Sequence, residues 1–213
     1  MIRPPTAAAT DRSVLLQRAL WLAYFTVVWN LVEGLVAMTG AYLAGSRALA
    51  GFGVDSFVES LSAGVLIWRL RVERRQPERA ERVERRAVRL IGVAFLALAA
   101  IVGIESVRSL LAGDEPEASA IGIGLTIVSL LVMPALARAK RRVAVEMGDR
   151  SIEADSAQTM ACVYLSAVVL VGLVLNAAFG WWWADPLAAL GVVAFLVKEG
   201  RDALAADHLD DCC

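Results

Sequence analysis

Residues 48–68 read ALAGFGVDSFVESLSAGVLIW, and this stretch decides the fold. It is long and apolar enough to cross a bilayer core about 30 Å thick, for which a helix needs about 20 residues at 1.5 Å each. Five other stretches have a similar character, so the sequence predicts an all-α, polytopic membrane protein with six transmembrane helices. The predicted spans are residues 19–38, 48–68, 90–111, 119–137, 157–179 and 181–198.

The overall composition agrees with a protein embedded in the lipid bilayer. Of 213 residues, 58% are hydrophobic, whereas soluble domains contain about 45–50%. The net charge of −1 provides no field that would attract nucleic acid, so no nucleic-acid partner is predicted. Three cysteines do not form a disulfide framework, and the first 18 residues lack the apolar core of a secretory signal.

Basic residues predict the orientation of the chain in the membrane. Nineteen of the 21 lysines and arginines fall on one side of the predicted spans, nine of them in the link 69–89. The positive-inside rule therefore places both termini in the cytoplasm. We expect the link to be a solvated connector attracted to anionic lipid, with Glu81 and Arg85 paired one helical turn apart. The predicted domains are a cytoplasmic segment 1–18, a transmembrane domain 19–199 and a cytoplasmic tail 200–213.

Ionisable side chains inside the spans are the candidate functional residues, because each is expensive in lipid. Asp55 and Glu59 are four residues apart and share one helix face. Two like charges that close must share a proton or bind a cation. Polar residues also line one face of the fifth span and of the first. They are Asp155, Gln158, Thr159 and Cys162 on the fifth span, and Asn30 and Glu33 on the first.

Together these faces predict a cavity lined by oxygen and sulfur, without a fixed positive charge, that would accept a divalent metal ion. Structural roles are the alternative for each residue: Asp55 and Glu59 as protonated partners between helices, Cys162 as a small buried side chain, and Gln158 as hydrogen-bonding glue. Glu105 is expected to pair with Arg108.

Three classes of protein compete on this evidence. A transporter is favoured, and a non-transporting membrane scaffold or assembly subunit held together by buried carboxylates is the alternative. An intramembrane hydrolase is disfavoured, because the only histidine, His208, lies outside the spans. We therefore predict that the protein is not an enzyme and holds no cofactor other than a transported metal ion.

Two segments resemble the transmembrane part of the cation diffusion facilitator family: Ser46–Glu59 and Glu153–Cys162. The resemblance implies export of divalent metal from the cytoplasm in exchange for protons, by a homodimer that we expect in a bacterial inner membrane. Asp55 and Glu59 stand where the family has Asp-x-x-x-Asp or His-x-x-x-Asp.

The fifth span departs from the family pattern. When its Ala154-Asp155 pair is aligned on the family's, Gln158 falls at the usual histidine and Cys162 at the usual aspartate. The predicted ligands are thus Asp55, Glu59 and Cys162, followed by Gln158, Asp155 and Glu33. A thiolate with carboxylates favours Zn²⁺ or Cd²⁺, while Fe²⁺ and Mn²⁺ stay open.

The C-terminal end departs further from the family. Most relatives continue into a cytoplasmic α/β domain, whereas 15 residues follow Lys198 here, so we expect a short form without that domain. His208, Cys212 and Cys213 in the tail are candidates for loose metal capture, although a disordered acidic end is the favoured interpretation.

Overall fold

The computed structural model describes residues 7–44, 47–113 and 120–205. Within these ranges the chain forms six long α-helices and a short 3-10 turn at Pro77–Arg79, without a β-strand. The helices are α1 (Ala7–Ala44), α2 (Arg47–Arg75), α3 (Ala80–Ala112), α4 (Ala120–Met147), α5 (Arg150–Phe179) and α6 (Ala184–Ala205). The predicted all-α fold is confirmed.

Most helices extend beyond the predicted spans. The charged link expected at 69–89 is largely helical, because α2 continues to Arg75 and α3 begins at Ala80. The predicted cytoplasmic segment 1–18 also contributes the first turns of α1. The number of consecutive apolar residues shows how much of a helix can lie in the lipid core. The helices extend further because the polar residues at their ends form ion pairs.

Five of the six helices in the described part of the chain, α1 to α5, are long and apolar enough to cross a membrane. In α6 the uninterrupted apolar stretch is residues 186–197, which at 1.5 Å per residue covers only about 18 Å. Because α6 packs closely against α3, its place in the bundle is set by that partner helix.

Four helices form a closed ring, and the other two flank it. In the ring, α1 packs on α2, α2 on α5, α5 on α4, and α4 on α1. Helices α3 and α6 pair with each other and pack against α2 and α5. The two flanking helices approach so closely that a Cβ added to Gly92 would lie 3.1 Å from the carbonyl oxygen of Gly200, which is the small-residue packing common between membrane helices.

The junction between α4 and α5 shows how the sequence ends one helix and begins the next. Gly148 adopts a φ of 64°, which glycine reaches without steric cost. Asp149 then caps α5 by accepting hydrogen bonds from the backbone N–H groups of Ser151 at 3.0 Å and Ile152 at 3.1 Å. This junction brings Asp149 to the same end of the bundle as the C-terminus of α2.

A buried network of charges joins the helices at that end, which we call the basic end and define by Arg12, Arg69, Glu73, Glu84 and Asp149. Arg69 is 1% exposed and pairs with Glu73, with Glu84 at 2.8 Å and with Asp149 at 2.7 Å. Arg12 binds Glu73 at 2.7 Å. The expectation that residues 69–89 form a solvated connector is therefore wrong at Arg69, because the inner face of α2 continues through this residue.

Candidate metal-ion site

The candidate site lies inside the four-helix ring, well away from the basic end. Along α2, Arg69 follows Asp55 by 14 residues and Glu59 by ten, which correspond to about 21 Å and about 15 Å of helix. Between the site and the basic end lies an apolar layer. Its buried members are Ala19, Leu20, Ala23, Leu66, Ile67, Leu70, Val143, Ala144, Met147 and Ile152.

Three carboxyl groups from two helices lie in the interior of the ring. Glu33 on α1 is 3% exposed, and Asp55 and Glu59 on α2 are 1% and 0% exposed. The charge of Glu59 acts on both Glu33 and Asp55, and the charge of Glu33 acts on Asp55, so the three groups form one electrostatic cluster. Ser56 donates a hydrogen bond of 3.3 Å to Glu33. This grouping agrees with the predicted convergence of the first and second spans.

Few hydrogen bonds satisfy these carboxyl groups. Among the described residues, both oxygens of Asp55, both of Glu59 and Oε1 of Glu33 have no geometrically satisfactory hydrogen-bond partner. A buried polar atom without a partner costs about 1–3 kcal/mol, and more if it is charged. The centre of the ring thus contains acidic oxygens that lack the donors or cations that normally accompany burial.

Helix α5 brings Cys162 to the same cluster. The side chain of Cys162 is fully buried beside the carboxyl group of Asp55, and its sulfur lies 4.0 Å from the hydroxyl oxygen of Ser129 on α4. Met133 and Leu136 pack around it. Sulfur and carboxyl oxygen therefore lie side by side, as the helical register of the two spans predicts.

Asp155 and Gln158 also lie on α5, three residues apart and on the same face of the helix as Cys162. Both are fully buried, and neither atom of the Gln158 amide has a hydrogen-bond partner in the described part of the chain. The amide lies one helical turn before Cys162, on the same face of α5. Asp155 is different, because it forms an ion pair.

The ion pair corrects the expectation of a site without a fixed positive charge. Lys140 on α4 is 1% exposed, and its Nζ lies 2.7 Å from Oδ2 of Asp155 and donates a 2.8 Å hydrogen bond to the hydroxyl of Thr159. The same ammonium group acts electrostatically on Glu59. Asp155 is thus already balanced by a cation, unlike Asp55.

By sequence, Lys140 lies beyond the predicted fourth span, in the basic run Arg138-Ala-Lys-Arg-Arg142, where the positive-inside rule predicts solvated residues. Helical periodicity is the signal that separates it from its neighbours. Buried residues of α4 recur at Met133, Leu136, Ala137, Lys140, Val143, Ala144 and Met147, which is the i, i+3, i+4, i+7 pattern of an inward face. Lys140 is the charged residue on that face.

In the arrangement described, no three His, Cys, Asp or Glu side chains stand close enough together to hold a metal ion. This statement covers the described residues, and His208, Cys212 and Cys213 lie outside them. Other predicted pairs are confirmed: Glu81 with Arg85 at 2.8 Å, and Glu105 with Arg108 at 3.9 Å.

The fold and the buried acidic cluster define a multi-pass integral membrane protein with ionisable groups at its centre. The chain matches the family described as the cation efflux transmembrane domain over residues 23–207. The protein therefore belongs to the cation efflux family, a family of transporters and not of enzymes, and the resemblance seen in the sequence is confirmed.

Three relatives illustrate the similarity. An uncharacterized transporter of Methanocaldococcus jannaschii is 25% identical over 182 residues, covering 83% of this chain and 64% of the relative. An uncharacterized transporter of Synechocystis is 32% identical over 160 residues, covering 72% and 51%. The cation-efflux pump FieF of Shewanella oneidensis is 30% identical over 93 residues, covering 44% and 31%. This chain thus spans less than two thirds of each relative.

Proposed function

We propose that this protein exports a divalent transition-metal ion, Zn²⁺ or Cd²⁺ in preference to Fe²⁺ or Mn²⁺, in exchange for protons by alternating access. The proposal includes a homodimer in a prokaryotic cytoplasmic membrane, as the family resemblance implies. One relative bears the name of a cation-efflux pump. The metal is the transported substrate and not a resident cofactor.

The contrast between two sets of buried acids carries the proposal. At the basic end, Glu73 pairs with Arg12 and Asp149 pairs with Arg69, each at 2.7 Å. At the centre, Asp55 and Glu59 form no ion pair among the described residues, and their oxygens also lack hydrogen bonds of satisfactory geometry. A structural role explains acids that are paired. Buried acids without an ion pair in a membrane interior are better explained by a cation that comes and goes.

Charge balance also favours a divalent ion. The centre contains four buried acids, Glu33, Asp55, Glu59 and Asp155. Among the described residues, the buried cation that acts on them is Lys140, which pairs with Asp155 and acts electrostatically on Glu59. If all four acids are ionised, three negative charges are uncompensated. Protons can neutralise them in the empty state, and a divalent ion that binds must displace protons. Exchange of M²⁺ for two protons moves no net charge, so the membrane potential would not oppose it.

The donor types determine the expected metal. Carboxylates from α2 and the sulfur of Cys162 form a mixed oxygen and sulfur set, which suits Zn²⁺ and Cd²⁺ better than Mg²⁺ or Ca²⁺. Gln158 would add a weak oxygen ligand from the same face of α5, and Glu33 one from α1. Since these groups are not yet gathered around one point, binding requires the helices or their side chains to move together.

Access to the site must alternate between the two faces of the membrane. The apolar layer that contains Leu66 and Ile152 lies between the acidic cluster and the basic end, and the Arg69 network lies beyond it. We infer that this arrangement is closed toward the basic end. Opening there requires α1, α2, α4 and α5 to separate around that layer.

Transport by purified protein in vesicles tests the proposal. Protein is reconstituted with its basic end outward, and uptake of Zn²⁺, Cd²⁺, Mn²⁺ and Fe²⁺ is measured together with internal pH. We expect Asp55→Asn to lose metal uptake while it keeps its oligomeric state and thermal unfolding. Glu105→Gln is the matched control, because the side chain of this acid is 44% exposed and only loosely paired at 3.9 Å.

Two outcomes would overturn the proposal. Wild-type uptake by Asp55→Asn would show that the acid is not a ligand. Loss of assembly in Asp55→Asn, with no metal uptake by the wild-type protein under any condition, would favour the scaffold alternative.

A further inference from the structure

One face of α2 near the basic end combines apolar, aromatic and basic residues in order. Gly64, Trp68, Arg71 and Arg75 are separated by four, three and four residues, so they form a stripe along one side of the helix. With Ile67, Val72 and Gln76 they line a groove of about 460 Å³. Gly64 leaves its lower end open, because an added Cβ there would meet no atom within 4 Å.

Arg71 and Arg75, the two arginines of this groove, differ from Arg69, which lies on the same helix between them and the acidic cluster. Arg69 is buried and paired with three acids. Arg71 and Arg75 are exposed, and neither has an ion pair among residues 7–44, 47–113 and 120–205. The guanidinium group of Arg71 lies 5.4 Å from the centroid of the Tyr24 ring, a contact that holds the cation in place without neutralising it.

The order of polarity along the groove matches a phospholipid. Gly64 and Ile67 belong to the apolar part of α2, Trp68 is 42% exposed at the next turn, and the two arginines follow toward the basic end. Tryptophan favours the level of the lipid headgroups, and basic clusters on the cytoplasmic side bind anionic headgroups. An acyl chain would lie against Gly64, with the phosphate between Arg71 and Arg75.

We propose that this groove binds one anionic phospholipid through its headgroup. Charge decides between lipids, because two unneutralised guanidinium groups attract a net negative headgroup more strongly than a zwitterionic one, whose own cation offsets its phosphate. The site is independent of the metal-ion proposal, since it lies on the outer surface of α2 and shares no residue with the acidic cluster.

Quenching of tryptophan fluorescence by brominated lipids tests the site in the full chain. The protein is reconstituted in phosphatidylcholine, and brominated phosphatidylglycerol or brominated phosphatidylcholine is added in increasing fractions. The difference between wild type and Trp68→Phe isolates the signal of Trp68. Each arginine near the membrane surface contributes about a fivefold preference for an anionic lipid, so we expect up to about thirtyfold for the pair.

Two double variants separate a specific groove from general charge. Arg71→Gln/Arg75→Gln should abolish the preference for phosphatidylglycerol at Trp68. Arg82→Gln/Arg86→Gln is the matched control, because these arginines on α3 are also exposed and four residues apart near the basic end. The control should keep the preference. Thermal unfolding of both variants shows that each remains folded.

Four results would overturn the proposal. Equal loss in the control would assign the preference to diffuse charge, and an unchanged preference in Arg71→Gln/Arg75→Gln would exclude the groove. Relief of the quenching by inorganic phosphate at millimolar concentration would indicate a site for free phosphate. A second copy of the chain would be shown to cover this face by two results together: no lipid quenches Trp68, and the oligomer dissociates in Arg71→Gln/Arg75→Gln.

Discussion

The ion pair between Lys140 and Asp155 gives a sharp test of how charge is distributed in this bundle. The two side chains are 1% and 0% exposed, and their atoms are 2.7 Å apart. Lys140→Met keeps most of the volume and removes the charge. The variant leaves the carboxylate of Asp155 buried without a cation, and the hydroxyl of Thr159 loses its donor.

The expected loss follows from these contacts. Breaking a buried ion pair by removing one partner costs about 3–5 kcal/mol, and the lost hydrogen bond to Thr159 adds about 1 kcal/mol. Removing both charges in Lys140→Met/Asp155→Asn leaves neither member of this pair as an unpaired buried ion, so that variant should lie within about 2 kcal/mol of wild type. The pair Glu81–Arg85, 2.8 Å long but with side chains 86% and 40% exposed, should contribute at most about 1 kcal/mol.

Unfolding in mixed micelles measures all four proteins: Lys140→Met, Asp155→Asn, the double variant and the exposed control Glu81→Gln. Zn²⁺ binding to each folded protein is measured alongside. Lys140→Met should bind Zn²⁺ more tightly than wild type, because the ammonium group acts on Glu59 and repels a second cation. The reasoning fails if Lys140→Met loses no more stability than Glu81→Gln, or if the double variant loses the sum of the two single effects.

Three further changes test other parts of the molecule. Cys162→Ser should weaken Cd²⁺ transport more than Zn²⁺ transport and release one proton fewer per ion, and an unchanged metal profile in vesicle uptake would place this sulfur in the packing alone. Arg69→Gln removes the ion-pair partner of the buried Asp149 and of the half-buried Glu84, and leaves Glu73 with Arg12 alone, so it should cost at least about 3 kcal/mol in denaturant unfolding. Unfolding indistinguishable from wild type would show that Arg69 does not hold the charge network at the basic end together. Gly92→Ala should cost about 1–3 kcal/mol, because its Cβ would lie 3.1 Å from a backbone oxygen of α6. Gly103→Ala, whose nearest contact would be 3.7 Å, is the control, and equal losses in the two variants would contradict the close helix approach.

Local rules were sufficient to predict the helices and part of the acidic cluster. Asp55 and Glu59 share a face because four residues are close to one turn of helix, and the long apolar run around them has no alternative to burial in lipid. Cys162 joins them because its register with Asp155 places both on the inner face of α5. Each of these predictions depends only on the spacing of residues along one helix, and that spacing is read directly from the sequence.

Contacts between helices were harder to predict. Arg69 and Lys140 both follow a span, where the positive-inside rule assigns basic residues to the solvated side. Their burial depends on acids from other helices, Glu84 and Asp149 for Arg69, and Asp155 for Lys140. Hydropathy treats such residues as the end of a span, whereas the periodicity of buried positions on α4 continues through Lys140.

The two buried charge networks differ in what a further cation would do to each. At the basic end, Arg12 and Arg69 already contact Glu73, Glu84 and Asp149, so an added ion would have to displace an arginine.

At the centre, Lys140 is held by Asp155 and Thr159. The oxygens of Asp55 and Glu59 have no hydrogen bond of satisfactory geometry within the described residues. A cation that enters there gains electrostatic energy without breaking an existing pair. The same excess of acid makes the empty site costly unless it holds protons. This cost is the physical reason to expect that metal and protons occupy the centre in alternation.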